Sequence, residues 1–205
     1  MRVNVTIVDD RQDADYAAAR KAMLDSQLRT SGINAEFVLS RMGAVTREDF
    51  VPASARGVAY ADRTIPLGEG RFLAAPEVHG MMLQEAEPTP RDIAIVVDGG
   101  SGYLAELLRP LVASLRVISP EDALNDAGAD GSATLLLIDG AAEQVPAALV
   151  RQLAPEGRAV GGILRNGITR LAVGRRSGDD LAWLPLADMG IPVLPAFLAP
   201  KGWSF

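Results

Sequence analysis

The spacing of apolar residues changes character several times along the chain, and each change predicts a different element. Residues 3–8 alternate, with Val3, Val5 and Ile7 against Asn4 and Thr6, which predicts a short strand. A polar acidic stretch, DDRQDAD, follows and reads as a solvated linker. From Tyr16 to Thr30, Ala18, Ala22, Met23 and Leu28 recur at helical spacing. Ile33-Asn34 opens a second helix, with Asn34 as a cap and Ile33 stapled onto Val38, and Gly43 ends it. Val45-Thr46 opens a third in the same manner, with Asp49 in the box position and Phe50 in the staple position. These predict a helical N-terminal lobe.

The remainder alternates between apolar runs and helical patterns. Residues 64–76, TIPLGEGRFLAAP, read as loop because Pro66, Gly68 and Gly70 interrupt them. Glu77 to Glu87 reads as a helix closed by Pro88 and Pro90. Apolar runs at 93–97, 115–119 and 133–138 predict strands, and ATLLLID is continuous enough for a strand covered on both faces. Pro146 to Leu153 starts with proline, as helices do. A turn at 154–157 follows. Arg158–Leu164 and Ile168–Arg175 predict two strands joined by Asn166-Gly167, a hairpin dipeptide. Arg175-Arg176 would sit at a solvated hairpin tip. The tail, IPVLPAFLAPKGWSF, predicts an irregular strand against the sheet. Strands alternating with helices and ending in a hairpin predict an α/β sheet, mostly parallel, with an antiparallel C-terminal hairpin.

Composition narrows the function classes. The chain has 205 residues, no cysteine and a formal net charge of −6. Thiolate metal sites, disulfides and a cysteine nucleophile are therefore excluded. The acidic balance argues against nucleic acid as partner. No apolar run approaches a membrane span and the first residues lack a signal-peptide core, so the expected compartment is the cytoplasm.

The candidate chemistry centres on Ile93 to Leu108, IAIVVDGGSGYLAELL. A strand, the turn Gly99-Gly100-Ser101-Gly102 and a helix present backbone N–H groups to a nucleotide-like ligand. Asp98 stands at the mouth of this turn, where bare backbone would be expected. Asp139 ends the buried strand at the carboxyl edge, where α/β sheets bind ligands, and either serves the site or caps the following turn. The candidate cofactor-binding residues are Asp98, Gly99, Gly100, Ser101, Gly102 and Asp139, with no residue assigned to catalysis or to a metal. His79, the single histidine, reads as structural because no carboxylate partner is visible near it. The acids Asp9, Asp10, Asp13 and Asp15 lack the glycine and closing glutamate of a calcium loop.

Several segments in one order resemble the protein-L-isoaspartate O-methyltransferase family. They are MLDSQLRTSGI…VLSRMGAVTREDFVP (23–52), YADRTIPLGEGRFLAAP (60–76), residues 93–108, and ATLLLIDGAAEQVPAALVRQLAPEGRAVGGIL (133–164). The resemblance implies a Rossmann-like methyltransferase fold, with a 1–15 extension, a 16–90 helical lobe and substrate-like loop, and a 91–205 methyltransferase domain. It also implies methyl transfer from S-adenosylmethionine to the α-carboxylate of L-isoaspartyl residues in damaged proteins.

The chain departs from the family pattern in four respects. Val96 replaces an acidic residue and Asp98 replaces the first glycine, although Asp98 would substitute for Val96 if it turned to the ligand's ammonium group. Ser119 stands where an acid binds the ribose hydroxyls; Glu121 lies two residues on and reads as a first-turn helix acid. Only residues 120–132 connect two strands, too few for the family's additional strand–helix unit. Ala74 replaces a serine of the substrate loop. Together they predict a non-catalytic binding or assembly module with weakened or lost S-adenosylmethionine binding and no cofactor. The alternative is an active protein-repair methyltransferase using that cofactor. Either reading implies a protein as partner or substrate. The 3–8 strand would add to a sheet edge of its own chain or of a second copy, the latter giving a homodimer.

Overall fold

The computed structural model describes residues 6–125 and 130–199. Helix α1 (Thr6–Met23) continues into a wider π-type turn at Leu24–Leu28. Residues 6–8 therefore begin a helix and not a strand; residues 3–5 lie outside the described residues. The reason is local. The alanine-rich DADYAAARKAM has high helix propensity, and extending it backward pairs further backbone groups within the segment. The acidic stretch belongs to this helix, and the edge pairing expected of residues 3–8 has no strand at 6–8 to make it.

Helix α2 (Glu36–Ala44) follows, with Ile33 and Val38 both buried, as the staple requires. Asn34 does not cap it: its own N–H and that of Ala35 donate to the Gln84 side chain. A 3-10 turn at Arg47–Phe50 takes the place of the third helix. The segment read as loop forms a hairpin of β1 (Ile65–Gly68) and β2 (Arg71–Leu73). Gly68, Glu69 and Gly70 are all left-handed at its tip, with φ of 89°, 52° and 75°. Strands of four and three residues are too short to display a period.

After α3 (Pro76–Ala86) come β3 (Ile93–Val97), α4 (Tyr103–Leu108), β4 (Ser114–Ile118), β5 (Ala133–Ala142), α5 (Ala147–Val150), β6 (Leu153–Arg165), β7 (Ile168–Ser177) and β8 (Asp180–Asp188). The six-stranded sheet has the order β4-β3-β5-β6-β7-β8. Pairs β3–β4, β3–β5 and β5–β6 are parallel, and β6–β7 and β7–β8 are antiparallel. β5 is central and buried along its length, which explains its unbroken apolar run. β8 escaped the sequence reading because Pro185 interrupts it, which an edge strand tolerates. Arg175 and Arg176 consequently lie within β7 and not at a tip, and Arg176 donates to the carbonyl of Leu153. α5 is shorter than expected because Leu153 already pairs with Ala133. β4 is an edge strand; its described connection to β5 holds one short turn, Asp122–Leu124, and no strand among the described residues pairs beyond it.

One buried staple closes the lower half. Asp92, at the foot of β3, accepts two bonds of 2.8 Å from Arg158 of β6 and one of 2.7 Å from the Thr134 hydroxyl of β5. Arg158 also donates to the carbonyls of Ala86 and Glu87, holding the C-terminal end of α3 to the sheet.

Candidate functional site

The glycine turn stands at the carboxyl end of β3. Val97 is level with Ile118 in β4, so Asp98 leaves the sheet beside Ser119, and its N–H donates to the Ile118 carbonyl at 2.9 Å. The Asp98 carboxylate then folds over the turn and accepts the Gly102 N–H at 2.9 Å. Gly102 has φ of 73° and precedes α4. Burial pushes the Asp98 carboxyl above its ordinary pKa, and the nearby charge of Asp139 adds to this; the turn's N–H groups pull the other way.

The β1–β2 hairpin is latched onto this turn. Phe72 donates its N–H to the Gly99 carbonyl at 3.1 Å. A β-carbon at Gly99 would lie 2.7 Å from the Phe72 ring and 2.5 Å from the Asp139 carbonyl. One at Gly100, where φ is 104°, would lie 2.5 Å from the γ-carbon of Arg71. The glycines are thus required by the close approach of protein as well as by the turn.

Between hairpin, turn and the end of β4 lies a cavity of about 390 Å³, within the range of small-molecule sites. Arg71, Asp98, Gly99 and Gly100 form one side, and Val117, Ser119, Pro120 and Glu121 the other. Of the candidates, Asp98, Gly99 and Gly100 therefore line it. Ser101 turns its hydroxyl to the Tyr103 N–H, and Gly102 enters α4. The Ser119 hydroxyl is engaged by Asp122, in both directions, at 2.8 and 3.0 Å. Glu121 is exposed and faces the cavity.

Asp139 is fully buried behind the cavity and does not line it. It sits in a bulge: Ile138 pairs with Gly161 and Ala141 with Gly162, leaving residues 139 and 140 unmatched. The bulge re-aims its side chain. Its Oδ1 lies 2.9 Å from Nε2 of His79, also fully buried, so the histidine does have a carboxylate partner. Its Oδ2 has no hydrogen-bond partner among the described residues. On the other side, Nδ1 of His79 faces the Arg47 guanidinium at 3.4 Å. A guanidinium only donates, so the neutral Nε2–H tautomer satisfies both contacts. Arg47 is fully buried; it donates to the carbonyls of Ala59 and Ala74 and lies 4.9 Å from the centre of the Tyr103 ring. Burial draws its pKa down. The chain Asp139–His79–Arg47 therefore ties the end of β5 to the Ala74 backbone.

With this geometry in view, the relatives are informative. The model of the family "Protein-L-isoaspartate(D-aspartate) O-methyltransferase (PCMT)" matches residues 18–125. A protein-L-isoaspartate O-methyltransferase of Roseiflexus castenholzii is 33% identical over 202 residues, with 85% of this chain and 91% of the relative covered. One of Aeropyrum pernix is 37% identical over 179 residues, covering 73% and 68%. The chain belongs to this family. Its fold agrees with a Plasmodium falciparum member of the family crystallised with S-adenosyl-L-homocysteine: TM-score 0.70 at 17% identity, covering 88% of this chain and 98% of that one. The mostly parallel Rossmann-like sheet and the family resemblance read from the sequence both hold. Among the described residues no helix is long and apolar enough to cross a membrane.

Arg47, Arg71 and the His79–Asp139 pair were missed as partners in the site. The last two are 60 residues apart in sequence, and the bulge that joins them has no periodic signature. The signal for Arg71 was present in GEGR, a cation placed directly after a left-handed glycine.

Proposed function

We propose that the chain is an S-adenosylmethionine-dependent carboxyl methyltransferase acting on L-isoaspartyl residues of proteins. The observation that carries this reading is the cavity at the glycine turn: it is open, of ligand size, and lined by Glu121 on the β4 side. With the Ser119 hydroxyl engaged by Asp122, Glu121 is the carboxylate placed to accept two hydrogen bonds from a ribose diol. Val117 and Pro120 supply apolar wall beside it. The residues present thus fit the cofactor, and Asp98 narrows the turn without filling the cavity. When bound, the cofactor supplies an electrophilic methyl group.

The protein's own part is positioning, because the accepting carboxylate is already ionised and needs no base. Ala74 has no hydroxyl to offer, but Arg47 grips its carbonyl and fixes the backbone of the substrate loop. The non-catalytic reading rests on the sequence departures alone; the named relatives are methyltransferases and favour the catalytic one. Titration with S-adenosylhomocysteine, followed by calorimetry and thermal unfolding, tests this. Ligand at 100 times its dissociation constant should stabilise the fold by about 2.7 kcal/mol. An isoaspartyl peptide should then accept methyl groups from radiolabelled S-adenosylmethionine, leaving S-adenosylhomocysteine, and its aspartyl isomer should not. Absence of binding at millimolar ligand would return the protein to the non-catalytic class.

A further inference from the structure

We propose that Arg71 and Asp98 form a two-point clamp for the amino-acid end of the ligand, Arg71 taking its α-carboxylate and Asp98 its α-ammonium. This rests on the cofactor reading above and assigns recognition to side chains instead of to bare backbone.

Both residues line the same cavity, on either side of Gly99–Gly100. The base of Arg71 is fixed. The adjacent Phe72 N–H is bonded to Gly99, and the β-, γ- and δ-carbons of Arg71 occupy the space that a side chain at Gly100 would fill, at 2.5–2.8 Å. Its guanidinium is half-exposed, and Glu69, itself 87% exposed, is the ion partner at 3.4 Å. Such a solvated pair is weak and exchanges readily for a ligand carboxylate, which a guanidinium can hold with two parallel bonds. On the other side, Asp98 uses Oδ1 for the Gly102 N–H, and a carboxylate has acceptor capacity beyond one bond.

The charges also fix orientation. A carboxylate set against Asp98 is repelled, and so is an ammonium set against Arg71. A zwitterion fits in one sense only. Val96, buried within β3, carries no charge for this task, which leaves Asp98 as the acid at the end of that strand. Asp98 is then a relocated contact and Arg71 the counter-charge that makes it tolerable.

The test compares S-adenosylhomocysteine with 5′-methylthioadenosine, which keeps the nucleoside and thioether but has no amino-acid end. Affinities are measured by calorimetry on the full chain, on Arg71→Ala and on Asp98→Asn; asparagine retains an oxygen for Gly102. The wild type should prefer S-adenosylhomocysteine at least tenfold. Each variant should lose about tenfold or more on that ligand and stay within twofold on methylthioadenosine. Melting temperatures within a few degrees of wild type would confirm the fold. Equal wild-type affinities, or variants within twofold on both ligands, would overturn the clamp and leave the cofactor reading standing. Failure of both ligands to bind the wild type would overturn both.

Discussion

Arg47 and Asp139 carry opposite charges in the same dry interior, bridged by a neutral His79, and their energetic coupling can be measured. Replacing Arg47 with methionine keeps most of its volume and removes the charge. It leaves the carbonyls of Ala59 and Ala74 without their donor and Asp139 without a compensating cation. Leaving a buried charge without its compensating partner costs about 3–5 kcal/mol, a large share of the roughly 5–15 kcal/mol that holds a domain folded. Asp139→Asn should cost less, about 1–3 kcal/mol, because its remaining oxygen still accepts from His79. The double variant has neither charge. Its loss should fall short of the sum of the singles by about 1–3 kcal/mol. Urea unfolding of the four proteins at pH 7 gives these values directly. Additivity within about 0.5 kcal/mol would show that the charges do not compensate each other across His79, and would refute their coupling through the Asp139–His79–Arg47 chain.

Other consequences are separable. Burial alone would push the Asp92 carboxyl up, but bonds from Arg158, Thr134 and Thr89 more than reverse this and hold it well below the usual carboxylate range. A lowered folded value gives stability that is complete above about pH 4 and is lost as pH falls further; Asp92→Asn should flatten the acid limb of a stability–pH curve, and an unchanged limb would exclude the staple as its source. Gly100→Ala should cost about 1–2 kcal/mol for the positive φ and also displace Arg71, weakening S-adenosylhomocysteine. Gly102→Ala meets open space and should carry the backbone cost alone, so equal ligand affinities in the two variants would contradict the packing described. Glu121→Gln should weaken S-adenosylhomocysteine by about tenfold with little change in melting temperature; Ser119→Ala should leave affinity within twofold, and the reverse ranking would restore Ser119 as the ribose contact.

Elements whose burial is uniform or strictly periodic were determined by the sequence alone. β5 declares itself because both of its faces are covered, α3 because Pro88 and Pro90 close it, and the β6–β7 hairpin because Asn166 and Gly167 supply the left-handed residues its turn needs, with φ of 53° and 77°. The glycine turn and its family were legible for the same reason, since local backbone demands leave local signatures. What the turn is for depended on the tertiary structure. Only packing decides that Gly99 and Gly100 make room for Phe72 and Arg71, that a bulge turns Asp139 inward to His79, and that Glu121 reaches the cavity while Ser119 is occupied. These contacts join residues far apart in the chain, and no spacing rule records them. Reading Asp98 in isolation suggested damage; the fold brings Arg71 to the same cavity, an arrangement that a single strand of sequence could not display.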